Sequence, residues 1–168
     1  PLPDVEARIV SLDDGWTDLE IGQPGELIVR GPQIMAGYHN RPEENNLVLR
    51  EGWLFTGDVA RMDADGYFYL VDRKKEVIKA GGYQVWPREV EEVIAKHPAV
   101  LEVGVAGVLR PGRGETVKAW VVLRPAFPCT EEEIQWWCEQ SLARFKVPVE
   151  VEFLARLPQS GVGKLLRR

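Results

Sequence analysis

Cysteine and histidine are scarce in this chain, and their scarcity excludes two kinds of chemistry. Only Cys129 and Cys138 carry thiols among 168 residues. That is too few for a disulfide framework or a metal cluster. Cys138 falls at a helix-like apolar position and reads as a buried thiol. His39 and His97 have no Cys, Asp or second His at ligand spacing, so no metal site is expected. His97 before Pro98 reads as a helix end. No Ser-His-Asp or Cys-His constellation stands out either. No apolar run approaches the roughly 20 residues needed to span a bilayer, so no transmembrane segment is expected. The N-terminus is not signal-like and residue 1 is proline. The chain reads as a processed product or an excised piece of a longer protein, with the cytoplasm as the expected compartment. A dense basic stripe with interleaved aromatics is missing too, which argues against a nucleic-acid partner.

What the chain does have is apolar residues and unevenly placed charge. Apolar types make up 45% of it, enough for a packed core. Net charge is −5. Residues 1–72 hold 5 Lys/Arg against 14 Asp/Glu, net −9, while residues 73–168 hold 16 against 12, net +4. Two differently solvated surfaces would give this split. So would a second part that meets an anion.

The first part reads as β-structure. Val5–Val10 and Glu26–Arg30 are strand candidates broken by Asp13-Asp14-Gly15 and Gln23-Pro24-Gly25. Pro42-Glu43-Glu44 suits a short helix start. Asp63-Ala64-Asp65-Gly66 predicts a hairpin turn between Val59–Met62 and Tyr67–Val71. The second part alternates. Glu76–Ala80 and Tyr83–Trp86 are short strands around Gly81-Gly82, and a helix runs over Arg88–Lys96 behind Pro87. Val100–Val108 and Thr116–Leu123 are strands around a turn-rich stretch. Thr130 is a candidate N-cap before Glu131, Glu132 and Glu133. Ile134, Trp137, Cys138, Leu142 and Phe145 form the apolar stripe of that second helix. Trp136-Trp137 reads as core and edge packing. Val149–Leu154 is a last strand. The order βαββαβ predicts a compact α+β domain, with the boundary near Asp72–Lys75.

Several residues could carry chemistry. Asp58, just after a glycine, can accept two hydroxyl hydrogen bonds as ribose-binding acids do, or it can simply close a turn. Arg73 can fork onto a hydroxyl pair or a phosphate, or sit solvated at a strand end. Lys75 can mark a joint between domains. Gly81 and Gly82 permit positive φ or close approach to a ligand, and equally a plain hairpin turn. Lys164 lies in a glycine-flanked tail that can carry an ammonium into a site, or fray as a basic terminus. It is not a Walker loop, because GxxxxGK[ST] is absent and Leu165 follows.

The order of these signals is more specific than any one of them. GELIVRGPQIMAGYHNRPEENN, then GWLFTGDVARMDADGYFYLVDRKKEVIKAGGYQVWPREVEEVI, then LARFKVP, then LPQSGVGKLLRR, closely resembles the C-terminal third of the adenylate-forming acyl-CoA synthetases. This ANL superfamily also contains peptide-synthetase adenylation domains and beetle luciferases. The resemblance covers almost the whole chain.

The resemblance implies that residues 1–72 end a large N-terminal AMP-binding domain, in its β-rich, barrel-like subdomain. Residues 73–168 would be the small, mobile α+β C-terminal domain. It implies an ATP-dependent ligase in which a carboxylate attacks the ATP α-phosphate to form acyl-adenylate. A thiol, usually that of CoA, then displaces AMP after the small domain rotates. Asp58 and Arg73 match the nucleotide-binding pair at the ribose, and Lys75 the hinge. Lys164 matches the catalytic lysine of adenylation. Lys79 and the loop Gly81, Gly82, Tyr83 match the face presented for thioester formation, with Trp86 near the CoA pantetheine tunnel. ATP/AMP and CoA are the implied ligands. Mg²⁺ is implied with ATP, its ligands outside this chain. The implied partners are the missing N-terminal domain and a fatty-acid substrate.

The family's glycine-rich phosphate loop, its aromatic-Gly-x-Thr-Glu segment and its acyl pocket have no counterpart in these residues. Asn45-Asn46 stands where Ala-Thr is usual, which reads as neutral. Lysine at the hinge position leans toward the fatty-acyl and luciferase-like branches. A peptide-synthetase adenylation domain is the alternative within the family. A detached, non-catalytic binding module is the alternative outside it.

Overall fold

The computed structural model describes residues 3–158, which divide between two compact units, Pro1–Lys75 and Glu76–Arg168. Lys164 lies outside the described residues. Among the described residues no helix is long and apolar enough to cross a membrane.

The first unit is an antiparallel sheet. Strand β1 (Glu6–Val10) pairs with β2 (Gly25–Arg30), and β2 pairs with β4 (Trp53–Met62). The far side of β4 takes both β3 (Leu49–Arg50) and β5 (Phe68–Arg73). Alternation along the strands sends Val10, Ile28, Trp53 and Phe55 into a small core, with Trp16 packed edge-on against Phe55. Arg8 and Arg30 lie 5.2 Å and 4.6 Å from the centre of the Trp53 ring. Helix α1 (Pro42–Val48) starts at its proline with Glu43 and Glu44 in the first turn, where the helix dipole favours acids. In the β4–β5 turn, Asp63 accepts hydrogen bonds from the Asp65 and Tyr67 amides and from the Tyr69 hydroxyl. These bonds hold its carboxyl below the usual range.

The second unit is mixed α+β. Strands β6 (Ile78–Ala80) and β7 (Tyr83–Val85) form a hairpin, followed by α2 (Pro87–Ile94). The long strands β8 (Val100–Arg110) and β9 (Gly114–Leu123) pair along their whole length. Helix α3 (Glu131–Glu139) then leads to β10 (Glu150–Phe153), which runs parallel to β9. Strand β6 meets β9 in parallel at Ala80 and Glu115. One core unites these pieces: Ile78 and Val85 from the hairpin, Val90 and Ile94 from α2, Val105, Val117, Ala119 and Val121 from the sheet, and Ile134 and Cys138 from α3. The order is therefore ββαββαβ: both short strands expected around the glycine pair form, and written out in full they add one strand to βαββαβ.

Helix α3 begins as its sequence predicts. The Thr130 hydroxyl accepts from the Glu133 amide, and the Glu133 carboxylate accepts from the Thr130 amide. Its end differs from the predicted stripe. The helix stops at Glu139, so Leu142 and Phe145 pack against the core from beyond it. The reason is local: Ala143 turns extended, and a short 3-10 turn over Arg144–Lys146 returns the chain toward β7. Trp137 donates its indole N–H to the Val93 carbonyl at 2.9 Å, while Trp136 is exposed. Burial pushes the Cys138 thiol up to about 11.

Candidate functional site

In the first unit the candidates gather around an arch in β4. Register pairs Glu26 with Val59 and Ile28 with Phe55, so Leu27 alone stands opposite Thr56, Gly57 and Asp58. The extra residues bulge out of the ladder. Gly57 takes φ +70° at the crest, a conformation other residues adopt with strain. Three hydrogen bonds staple the arch. The Thr56 hydroxyl donates to the Leu27 carbonyl at 2.7 Å and accepts from the Asp58 amide at 3.1 Å. The Gly57 amide donates to Glu26 Oε1 at 3.2 Å.

The arch presents Asp58 beside Arg73, its partner across the β4–β5 ladder. Arg73 Nε lies 2.7 Å from Asp58 Oδ1, with the aspartate side chain 27% exposed and the arginine 49%. A part-open carboxylate held at one oxygen by a guanidinium can still accept hydroxyl hydrogen bonds at the other. The chain then enters a 3-10 turn over Lys74–Glu76. Lys74 Nζ reaches back to Glu26 Oε2 at 2.6 Å. Lys75 follows as an exposed residue at the end of the unit.

The second unit presents the hairpin. Gly81 and Gly82 have φ +58° and +87°, the two successive positive values of a two-residue turn that matches strand twist. A Cβ at either position would meet no atom within 4 Å. The constraint is thus backbone conformation, and the plain hairpin reading of the glycine pair holds. Lys79 is exposed on β6, and its amide donates to Glu115 Oε2 at 2.7 Å, tying β6 to β9. Tyr83 is 59% exposed and stacks on Phe145 with ring centres 4.3 Å apart. Beside this stack lies an open groove of about 360 Å³, lined in part by Gly81, Tyr83, Arg113, Glu115, Arg144 and Phe145. Trp86 stands half-buried at the N-cap of α2.

The structure thus brings Asp58 and Arg73 into contact, and sets Lys79, Gly81, Gly82 and Tyr83 on one hairpin. Among the described residues no three His, Cys, Asp or Glu gather to hold a metal. The sequence reading missed Glu26, Thr56 and the groove arginines. Glu26 carried a usable signal: it shares the buried face of β2 with Ile28, two residues on, where a carboxylate needs a partner.

The chain carries an AMP-binding enzyme C-terminal domain: residues 89–164 match the family model of that description. Over its full length the chain is 50% identical to a long-chain-fatty-acid–CoA ligase of Bacillus subtilis, covering 30% of that protein. Among solved structures it resembles MenE, the o-succinylbenzoate CoA synthetase of Bacillus subtilis, in complex with its acyl-adenylate intermediate. The TM-score is 0.89 at 38% identity, covering 99% of this chain and 34% of that one. ATP-bound MatB from Rhodopseudomonas palustris gives a TM-score of 0.90 at 34% identity, covering 97% of this chain and 32% of that one. The chain therefore spans about a third or less of the length of these relatives.

Proposed function

We propose that this chain is the C-terminal portion of an ATP-dependent acyl-CoA ligase that acts on fatty acids. The observation that carries the reading is 50% identity over the entire chain to a long-chain-fatty-acid–CoA ligase. The arch geometry supports it. On this reading residues 1–72 complete a large N-terminal AMP-binding domain, and residues 73–168 form a mobile domain that turns about Lys75.

Each residue then has a task. Asp58 accepts the ribose hydroxyls of the nucleotide. Arg73 occupies Oδ1 and leaves the second carboxylate oxygen for those hydroxyls, while its remaining N–H groups face the same ligand. Lys164 enters during adenylation and offsets the charge that develops as the acyl carboxylate attacks the α-phosphate and pyrophosphate leaves. After rotation, Lys79 and the Gly81-Gly82-Tyr83 hairpin face the acyl-adenylate. Trp86 lies toward the pantetheine arm of CoA, whose thiol attacks the acyl carbon and expels AMP. Mg²⁺ arrives with ATP. Its ligands are expected outside this chain.

The test is a two-part assay on the full-length protein: fatty-acid-dependent ATP–pyrophosphate exchange, then acyl-CoA formation on adding CoA. Activity in both parts is expected. Exchange driven by amino acids and not by fatty acids would contradict the substrate, and exchange with no CoA thioester would contradict the acceptor. The isolated chain is expected to bind ATP weakly and to catalyse neither step.

A further inference from the structure

Glu26 is the one charged side chain fully buried among the described residues, with only 3% of its surface exposed. A carboxylate removed from water needs charge and hydrogen bonds around it, and Glu26 obtains both from functionally placed neighbours. Oε1 accepts the Gly57 amide, the residue before Asp58. Oε2 takes the Lys74 ammonium at 2.6 Å, one residue after Arg73 and one before Lys75. Gly57 and Lys74 are distant in sequence from Glu26, by 31 and 48 positions. One carboxylate therefore clamps the arch that carries the aspartate and the chain that leaves the unit at Lys75.

We infer that Glu26 is a positioning residue of the ligase reaction: it fixes the Asp58 arch through one oxygen and, through the other, holds the chain at Lys74, so that the turn between domains falls at Lys75. The inference rests on the proposed ligase reading and adds a residue to it. The two oxygens have separable tasks. Without the Lys74 contact, the chain is released from Arg73 onward. The pivot then spreads over several residues, and the mobile domain reaches its second orientation less often. Without the Gly57 contact, the arch loosens and Asp58 drifts from the ribose.

The experiment uses the full-length enzyme with Glu26→Gln, Glu26→Ala, Lys74→Met and Lys74→Arg. ATP–pyrophosphate exchange, its KM for ATP, and single-turnover thioester formation from supplied acyl-adenylate are measured, alongside thermal melting. Glutamine still accepts the Gly57 amide, so Glu26→Gln and Lys74→Met should slow thioester formation by about tenfold while KM for ATP moves less than about twofold. Glu26→Ala should slow that step as much and also raise KM for ATP by about fivefold. Lys74→Arg, which restores the cation, should return the rate to within about twofold of wild type. Glu26→Gln and Lys74→Met enzymes that fold and show wild-type rates would overturn the inference. So would equal losses in both half-reactions that simply follow melting temperature. If the wild type itself performs neither half-reaction, the ligase reading fails and the assignment to Glu26 falls with it. An active wild type with unaffected variants removes the assignment alone.

Discussion

Asp58 and Arg73 face one another across the β4–β5 ladder and join at 2.7 Å, so each fixes the other's side chain before any ligand arrives. On the proposed reading, preorganisation of this kind lowers the cost of ordering when a ribose binds. It predicts that either residue can be removed without unfolding the sheet, because neither is in the core. In the full-length enzyme Asp58→Ala and Arg73→Ala should each raise KM for ATP by about tenfold, and the double variant should lose less than the product of the two. Full multiplicative loss in a double-mutant cycle would mean that the two act independently.

The glycine hairpin makes a conformational prediction. Gly81 holds φ +58° with open space around its missing side chain. Gly81→Val meets no clash and fails only on backbone conformation, to which β-branched residues are poorly suited. Thioester formation from supplied adenylate should fall by about a hundredfold while ATP–pyrophosphate exchange stays near wild type. Lys75→Pro should show the same split, since proline fixes φ at the pivot. Equal loss in both half-reactions would remove the assignment of this face to the second step.

A stability prediction concerns α3. Its reciprocal hydrogen bonds between Thr130 and Glu133 form a complete capping box. Thr130→Ala should cost about 1 kcal/mol in denaturant unfolding, and Thr130→Ser much less. No change on Thr130→Ala would show that the amides at the start of α3 are satisfied as well by water.

The Cys138 thiol sets a pH dependence. Burial raises its pKa to about 11, against about 8.5 in an unfolded chain. Between those values the unfolded state releases a proton that the folded state keeps. The thiol's contribution is therefore complete below pH 8.5 or so and lost as pH rises toward 11. The melting-temperature gap between wild type and Cys138→Ala should stay constant up to about pH 8.5 and narrow above it. A constant gap at high pH would place Cys138 in contact with water.

The sequence was informative where the determinants are local. The Thr130 cap, the Pro42 and Pro87 helix starts, the Asp63 turn and the glycine hairpin each depend on a few adjacent residues, and each formed as their chemistry predicts. The end of α3 was misread because Leu142 and Phe145 keep helical spacing, although the chain that carries them has left the helix. Their apolar character reports contact with the core and not the path taken to it. The Asp58 arch was beyond reach for another reason. It arises from a register shift between β2 and β4, and Glu26 acquires its meaning only when Gly57 and Lys74 fold back onto it. Lys164 was a candidate from its glycine-flanked tail, the resemblance gave it a role, and it lies outside the described residues.

The central claim is that this chain supplies different residues to two successive half-reactions, and Lys164→Ala in the full-length enzyme tests it most directly. Pyrophosphate release and thioester formation from supplied acyl-adenylate are measured side by side. The account predicts that pyrophosphate release is lost by about a hundredfold or more while thioester formation stays near the wild-type rate. Pyrophosphate release at the wild-type rate would contradict it.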